Sequence, residues 1–426
     1  MSPNSAPDEV TPVENSDAVE ATPRRHPVPT LVVGDRVEVD VDSIAHGGHF
    51  IARYQGQVIF VRHAIPGERV EVEITSVSSK VVRADAISVI TPSEFRVEAP
   101  CKFAHPGGCG GCDFQHIEIS HQRTLKAQVV KEQFSRVGKI DLEALGIDVI
   151  VEGVAPASGL DWRTRMDFAI SENGRIGFYK NRSKEVVEIS DCLIAVEEMA
   201  IPELAKRKWS GDARVEAAVS RAGEVNISRG GRSLSGPTQL HETVLGRTLT
   251  VSPQSFWQAH RSAAETLTAR AIELLNLKKG DTVCDLYGGV GLFSIALADA
   301  VGQSGKVHLV ESDRRAIADA ISIFAKTQQV IVHSGTVESH IAKLKKLDAI
   351  LLDPPRTGAG EMVIETILKM GGDKPGRIVY VSCDPASLAR DAKFLTDGGY
   401  RLESLVGFDL FPMTQHVESI ASFILA

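Results

Sequence analysis

Three short segments near the end of this 426-residue chain carry side chains able to do covalent chemistry: LLDPPRTG around Asp353, VYVSCDPAS around Cys383 and FPMTQHVES around Glu418. A thiolate is a nucleophile and a carboxylate a base, and the two together suit a ring carbon too weakly nucleophilic to react alone. Carbon 5 of uracil is such an atom. A thiolate adding to carbon 6 turns the ring into an enolate that can attack an electrophilic methyl group. A base must then remove the carbon 5 proton so that the thiolate can leave. In this reading Cys383 is the candidate nucleophile, Glu418 the candidate base and Asp353 a carboxylate beside the reacting centre.

Each residue taken singly also has a plainer reading. Cys383 closes the apolar strand RIVYVSC, and a cysteine at a strand end can be inert core. It differs from Cys284, in the middle of TVCDLY, because Asp384-Pro385 breaks the strand and the helix ASLARDAKFL follows, with a dipole that favours thiolate. A glutamate before a terminal strand is usually surface charge. Asp353-Pro354-Pro355 at a sheet edge also suits methylation of exocyclic amines, so that motif alone leaves N-methylation open.

The elements that must position these residues form a recognisable series. The segment SAAETLTARAIELLNL reads as an amphipathic helix ended by Lys278-Lys279-Gly280. Apolar strands then alternate with helical patterns (TVCDLY, KVHLVES, QVIVHS, DAILLD, RIVYVSC and SIASFILA), the signature of an α/β, doubly wound Rossmann-like sheet. The first strand runs into DLYGGVGLF, where Gly288, Gly289 and Gly291 allow a tight turn and close approach of a ligand. Such a turn could serve NAD. Asp285, an acid directly before it, would repel a pyrophosphate but suit the cationic methionine end of S-adenosylmethionine, and Glu311 in LVESD is placed to bind ribose hydroxyls. S-adenosylmethionine is the favoured cofactor.

Upstream, residues from about Leu31 to Thr91 alternate with period two and are punctuated by Gly47-Gly48, Gly56 and Pro66-Gly67, which predicts a small β-barrel. Its only aromatics are Phe50, Tyr54 and Phe60, too few to establish a base-stacking platform. A mixed α+β region follows, with a helix over SHQRTLKAQVVKEQFSRVG and strand pairs such as WRTRMDFAIS with GRIGFYK. Cys101, Cys109 and Cys112 form C-x7-C-x2-C in a glycine-rich loop, with Cys192 far downstream. Three close thiolates and one remote suit an iron–sulfur centre better than zinc, which prefers paired C-x2-C knuckles. Six unevenly spaced cysteines point to ligands and a nucleophile in a reducing cytosol rather than to a disulfide framework.

Composition restricts the partners. No run of about 18 apolar residues is present, so no membrane partner is expected. The net charge of −8 argues against binding RNA by charge alone. Part of that charge lies in an acidic tail over residues 1–29, expected to be disordered. Between Cys101 and Leu240, 19 Lys+Arg balance 19 Asp+Glu. Within that region Arg163 with Arg165, Lys180 with Arg182 and Lys184, and Lys206 with Arg207 and Lys208 could track phosphates or be ordinary surface charge.

Taken in order, these motifs resemble the RNA 5-methyluridine methyltransferases that carry an N-terminal TRAM barrel, the class modifying bacterial 23S ribosomal RNA. The resemblance covers nearly everything after the tail. It implies a tail over 1–29, an OB-like TRAM barrel over 30–93, a central iron–sulfur and RNA-binding domain over 94–255, and a methyltransferase domain over 256–426. It implies a [4Fe-4S] cluster on Cys101, Cys109, Cys112 and Cys192, and S-adenosylmethionine contacts from Gln258, Tyr287, Glu311 and Asp353. Cys383 matches the nucleophile and Glu418 the base. The implied partner is RNA, 23S ribosomal RNA ahead of transfer RNA, met by a cytoplasmic monomer. Departures are a seven-residue first cysteine gap where many members have five, and Leu292 where some members place a contacting Asn. Two alternatives stand beside this reading: a noncatalytic RNA-binding protein with a metal module, and an exocyclic-amine methyltransferase.

Overall fold

The structure is a computed structural model that describes residues 31–370 and 374–426; the acidic tail expected over residues 1–29 lies outside them. Period-two alternation does produce a closed barrel, from β1 (Arg36–Ala45), β2 (His49–Tyr54), β3 (Gln57–Arg62), β4 (Arg69–Val77) and β5 (Val82–Thr91), in the order β1-β2-β3-β5-β4. Val39, Val41, Phe50, Ile59, Val61, Val70 and Val72 fill its interior. Phe50 is therefore core and not a platform for bases.

Helix α1 (Ile119–Gln133) follows and ends in a π-turn over Phe134–Gly138; after it comes β6 (Val151–Gly153). A second, antiparallel sheet contains β7 (Arg165–Ile170), β8 (Ile176–Tyr179), β9 (Val186–Glu188), β10 (Val215–Val219), β11 (Val225–Arg229) and β12 (Arg232–Ser235), with the short α2 (Ile201–Lys206) between β9 and β10. The hairpin of β13 (Leu240–Val244) and β14 (Arg247–Val251) leads to α3 (Ala263–Leu275). That helix stops earlier than Lys278-Lys279-Gly280. Asn276 takes a left-handed conformation (φ 48°) and its N–H returns to the Ile272 carbonyl at 3.3 Å, a cap that Asn tolerates better than most residues.

The rest of the chain alternates as expected: β15 (Thr282–Leu286), α4 (Ser294–Val301), β16 (Lys306–Glu311), α5 (Arg314–Ile323), β17 (Val330–Ser334), α6 (Val337–Ile341), β18 (Ala349–Leu352), α7 (Glu361–Leu368), β19 (Arg377–Ser382), α8 (Pro385–Asp397), β20 (Tyr400–Asp409) and β21 (Glu418–Leu425). The eight-stranded order is β17-β16-β15-β18-β19-β21-β20-β6. From β15 the chain winds outward through β16 and β17, then returns to the other side for β18 and β19, so a switch point opens at the carboxyl end of β15. Strands buried on both faces explain the continuous apolar runs: Val283, Leu351, Val379 and Val381 pack on one side, Leu286, Ile350, Leu352 and Tyr380 on the other. The sheet is wider than sequence periodicity predicts. It gains β20, and it recruits β6 from the segment before the second sheet, paired parallel to β20 through Gly407, Phe408 and Asp409.

A candidate active site at the carboxyl edge of the large sheet

Parallel strands all end at one edge, so the residues that follow them are gathered there. Tyr287 follows β15, Glu311 ends β16, Asp353 follows β18 and Cys383 follows β19. Strand β21 runs the other way, antiparallel to β19, and therefore begins where its neighbours end. The register pairs Ser382 with Ser419, and one step further sets Cys383 opposite Glu418. One cleft of about 640 Å³ is lined by Gln258, Tyr287, Glu311, Asp353, Cys383 and Glu418 together. The expected nucleophile, base and cofactor contacts thus share a single cavity.

The cofactor end is built from the glycine turn. A Cβ on Gly291 would lie 2.2 Å from the Phe324 ring and one on Gly288 2.7 Å from Leu309, so glycine lets the turn lie this close to the end of α5 and to β16. Glu311 is locked in place: its carboxylate accepts from the Gly289 N–H at 2.9 Å, Ser312 N–H at 2.6 Å and Asp313 N–H at 2.7 Å. Spare lone pairs on its oxygens remain for hydroxyl donors. Gln258 Nε2 donates to Asp353 Oδ2 at 3.4 Å.

Asp285 does not do what its position in sequence suggests. It is wholly buried under the turn, where its Oδ2 accepts from Ser294 Oγ at 2.6 Å, and it is not among the residues lining the cleft. Burial first, and then the nearby Glu311 carboxylate, push its carboxyl up to about 7. Its role is to tie the turn to the start of α4 and to act on Asp353 through its field.

At the chemical end buried acidic groups act on one another. Burial, then Asp353, raise the Glu418 carboxyl well above the usual range, and burial, then Asp285, raise Asp353. The Cys383 thiol is pushed up to about 12, by burial first and then by Glu418, with Arg356 acting in the opposite direction. The α8 dipole does not outweigh burial: Asp384 caps that helix, and its own carboxylate takes the Ser387 N–H at 2.8 Å. A buried thiol beside a buried carboxyl is a pair between which a proton can be moved when a substrate arrives.

Sequence periodicity gives no hint of the props behind the loop that leads to Glu418. Lys126 of α1, fully buried, donates to Asp409 Oδ1 at 2.6 Å and to the Phe411 carbonyl at 3.0 Å. The Gln122 side chain accepts from Met413 N–H at 2.9 Å and donates to the Phe114 and Ile117 carbonyls. Lys126→Met leaves Asp409 buried without its cation. We expect a loss of about 3–5 kcal/mol in chemical denaturation, where a surface ion pair would lose under about 1 kcal/mol.

Two features of the central region differ from expectation. Arg163 and Arg165 point inward rather than toward phosphates: the Arg165 side chain faces Glu242 at 3.6 Å and donates to the Pro253 carbonyl at 2.9 Å, bracing the segment before Gln258. Arg163 lies beside Cys192 and Cys112. Burial raises the Cys109, Cys112 and Cys192 thiols, and neighbouring thiols of the group add to each shift. They do not meet. Among the described residues no three His, Cys, Asp or Glu side chains stand close enough to hold one metal ion. The expected four-thiolate centre is thus not formed here: all four cysteines are unpaired and half-buried.

Among the described residues no helix is long and apolar enough to cross a membrane. A TRAM-domain profile matches residues 31–87, and a tRNA (uracil-5-)-methyltransferase profile matches 339–424, the stretch carrying Asp353, Cys383 and Glu418. A protein-L-isoaspartate O-methyltransferase profile matches 243–372, the half of the sheet with the glycine turn. An uncharacterised RNA methyltransferase of Streptomyces coelicolor is 41% identical, over 92% of this chain and 93% of its own length. Another, from Corynebacterium efficiens, is 36% identical over 96% and 99%. Among solved structures, the Pyrococcus abyssi tRNA (uracil-54, C5)-methyltransferase in complex with S-adenosyl-L-homocysteine superposes with a TM-score of 0.68, covering 91% of this chain and all of that one. At 23% identity that likeness shows the shared fold. The relatives matched along nearly their whole length and the two profiles at either end identify the chain as a member of the TRAM-bearing RNA uracil-5-methyltransferase family, an S-adenosylmethionine-dependent RNA (uracil-C5) methyltransferase.

Proposed function

We propose that this enzyme methylates carbon 5 of a uridine in 23S ribosomal RNA through a covalent bond between Cys383 and carbon 6 of the ring. The observation that carries the proposal is the facing of Cys383 and Glu418 across β19 and β21, in the cleft that also holds Tyr287, Glu311 and Asp353. Glu311 and Tyr287 would hold the ribose and adenine side of S-adenosylmethionine, with Gln258 and Asp353 at the reacting end. When bound, that cofactor supplies an electrophilic methyl group to carbon 5.

The chain's own residues do the rest. The Cys383 thiol releases its proton to solvent water as its sulfur bonds to carbon 6, so Glu418 stays free to act later, and the Arg356 guanidinium, which favours the ionised forms of both Cys383 and Glu418, offsets the charge. The ring electrons move to carbon 5, which takes the methyl group. Glu418, ionised at that stage, removes the carbon 5 proton, and the sulfur–carbon 6 bond breaks to restore the aromatic ring and the thiolate. Because the cleft is recessed, the uridine must leave any stack to reach Cys383. Phe256, 72% exposed at the mouth of the same cleft, offers a face for stacking an unpaired base.

The RNA backbone would follow a basic groove. Arg62, Arg83, Lys180 and Arg182 line a groove of about 540 Å³ between the barrel, the cysteine loop and the β8–β9 turn. The cysteine loop beside it is the proposed [4Fe-4S] site, held by Cys101, Cys109, Cys112 and Cys192. As they stand the four thiols are not gathered around one ion, so the proposal rests on donor type and spacing; a cluster fully ligated by protein would be structural. Anaerobically purified protein should then show an absorption shoulder near roughly 400 nm, absent if zinc or no metal is bound.

A transfer-RNA substrate is the second reading, favoured by the substrate in the name of the Pyrococcus abyssi enzyme. Mapping 5-methyluridine by mass spectrometry in RNA from a strain lacking the protein decides between them. Loss of the mark from 23S ribosomal RNA supports the first reading, loss from transfer RNA the second, and loss from neither refutes both.

A further inference from the structure

The barrel is not a detached appendage: its β1–β2 turn lies against both loops that carry the chemistry. His46 Nε2 stands 3.2 Å from Asp384 Oδ2, and Asp384 is the residue after Cys383. A Cβ on Gly48, two residues on, would lie 2.7 Å from Gln415 Cγ, in the loop that leads to Glu418. Asp384 is itself the knot of the nucleophile loop. Its Oδ1 accepts from Ser387 N–H, its carbonyl accepts from Ser382 Oγ at 3.0 Å and Ser387 Oγ at 3.1 Å, and its N–H donates to Ser382 Oγ at 3.2 Å. With Ser387 N–H taken by Oδ1, the imidazole is the contact that ties Oδ2 to another part of the chain.

We propose that His46 is a positioning residue for the nucleophile: by binding Asp384 it fixes the Ser382–Pro385 turn, and so ties the placement of Cys383 to the seating of the barrel. The charge pattern agrees. The carboxylates of Asp384 and of Glu132 on α1 hold the His46 imidazole above its ordinary range, while His46 and Ser387 hold Asp384 down to about 2. An unscreened Asp384 carboxylate opposes ionisation of the adjacent thiol, so the His46 N–H on that carboxylate also lessens an obstacle to thiolate formation. Placement of a reacting atom has a steep cost when it is lost, since misplacement by about 1 Å can slow a reaction on the order of a hundredfold.

The inference rests on the proposed role of Cys383, and its test separates the two. His46→Ala and His46→Gln are compared with wild type in the full chain, by single-turnover methyl transfer to uridine-containing RNA and by the rate of iodoacetamide modification at Cys383, read from its peptide by mass spectrometry. Gln keeps a donor for Asp384 but not the charge. His46→Ala is expected to slow methyl transfer at saturating RNA on the order of tenfold, with KM for RNA and Tm unchanged, and to slow alkylation of Cys383. His46→Gln is expected to recover most of the methyl-transfer rate. An unchanged rate in His46→Ala, or a loss confined to KM or paralleled by a fall in Tm, overturns the inference. If wild type itself forms no 5-methyluridine, the proposed reaction fails instead, and the alkylation rates alone still decide the role of His46.

Discussion

Glu418→Gln should stop the enzyme part-way, with RNA attached. The amide cannot take the carbon 5 proton, yet it fills the space of the carboxyl in the cleft that Glu418 shares with Cys383. Addition of the thiolate and receipt of the methyl group survive while elimination fails, so the methylated ring stays bonded to Cys383. Loss of a general base typically slows a step by about 10²–10⁴-fold, enough for the intermediate to outlive the experiment. The expected result is a protein band shifted by the mass of the RNA on a denaturing gel, with turnover to free 5-methyluridine reduced by at least about a hundredfold. A variant that turns over at the wild-type rate, or is inactive without any adduct, would assign the base elsewhere, with Asp353 the next candidate in the cleft.

Cys383→Ala is the complementary case. Without sulfur there is no route to activate carbon 5, so neither adduct nor product should form, and the rate should fall by at least about 10⁴-fold. Cys383 is half-buried at a turn rather than packed in the core, so folding and cofactor binding should survive; the test is intact Tm and S-adenosylmethionine affinity alongside absent methylation. Retained methylation would point to chemistry on an exocyclic nitrogen, which the Asp353-Pro354-Pro355 segment by itself also suits.

What could be read from sequence follows from how local the signal is. Tyr287, Glu311, Asp353 and Cys383 sit where apolar runs end, and the ends of parallel strands converge by geometry alone. By position alone Glu418 reads as surface charge before a terminal strand, and the resemblance is what marks it as a base; that it faces Cys383 depends on β21 running against β19, which no periodicity reveals. Strands β20 and β6 were missed for the same reason, because their pairing is non-local and β6 is three residues long. Lys126 looks like an exposed charge on an amphipathic helix until Asp409 is brought beside it from the far end of the chain. Arg165 and Asp285 show the converse error, since charges that suggest a ligand in sequence are spent internally on Glu242 and Ser294. His46 lies in a barrel turn with no motif around it, and only the docked structure puts it next to the nucleophile.

The central claim is a transient carbon–sulfur bond, and a substrate that cannot complete the cycle tests it in the unaltered enzyme. Fluorine at carbon 5 cannot be removed by a base as a proton is, so wild-type enzyme given 5-fluorouridine-substituted RNA and S-adenosylmethionine should accumulate a stable adduct. After protease and nuclease digestion, mass spectrometry should find a methylated fluorouridine nucleotide on the peptide containing Cys383. Full consumption of S-adenosylmethionine with no modified Cys383 peptide, or the nucleotide on a different residue, would contradict it.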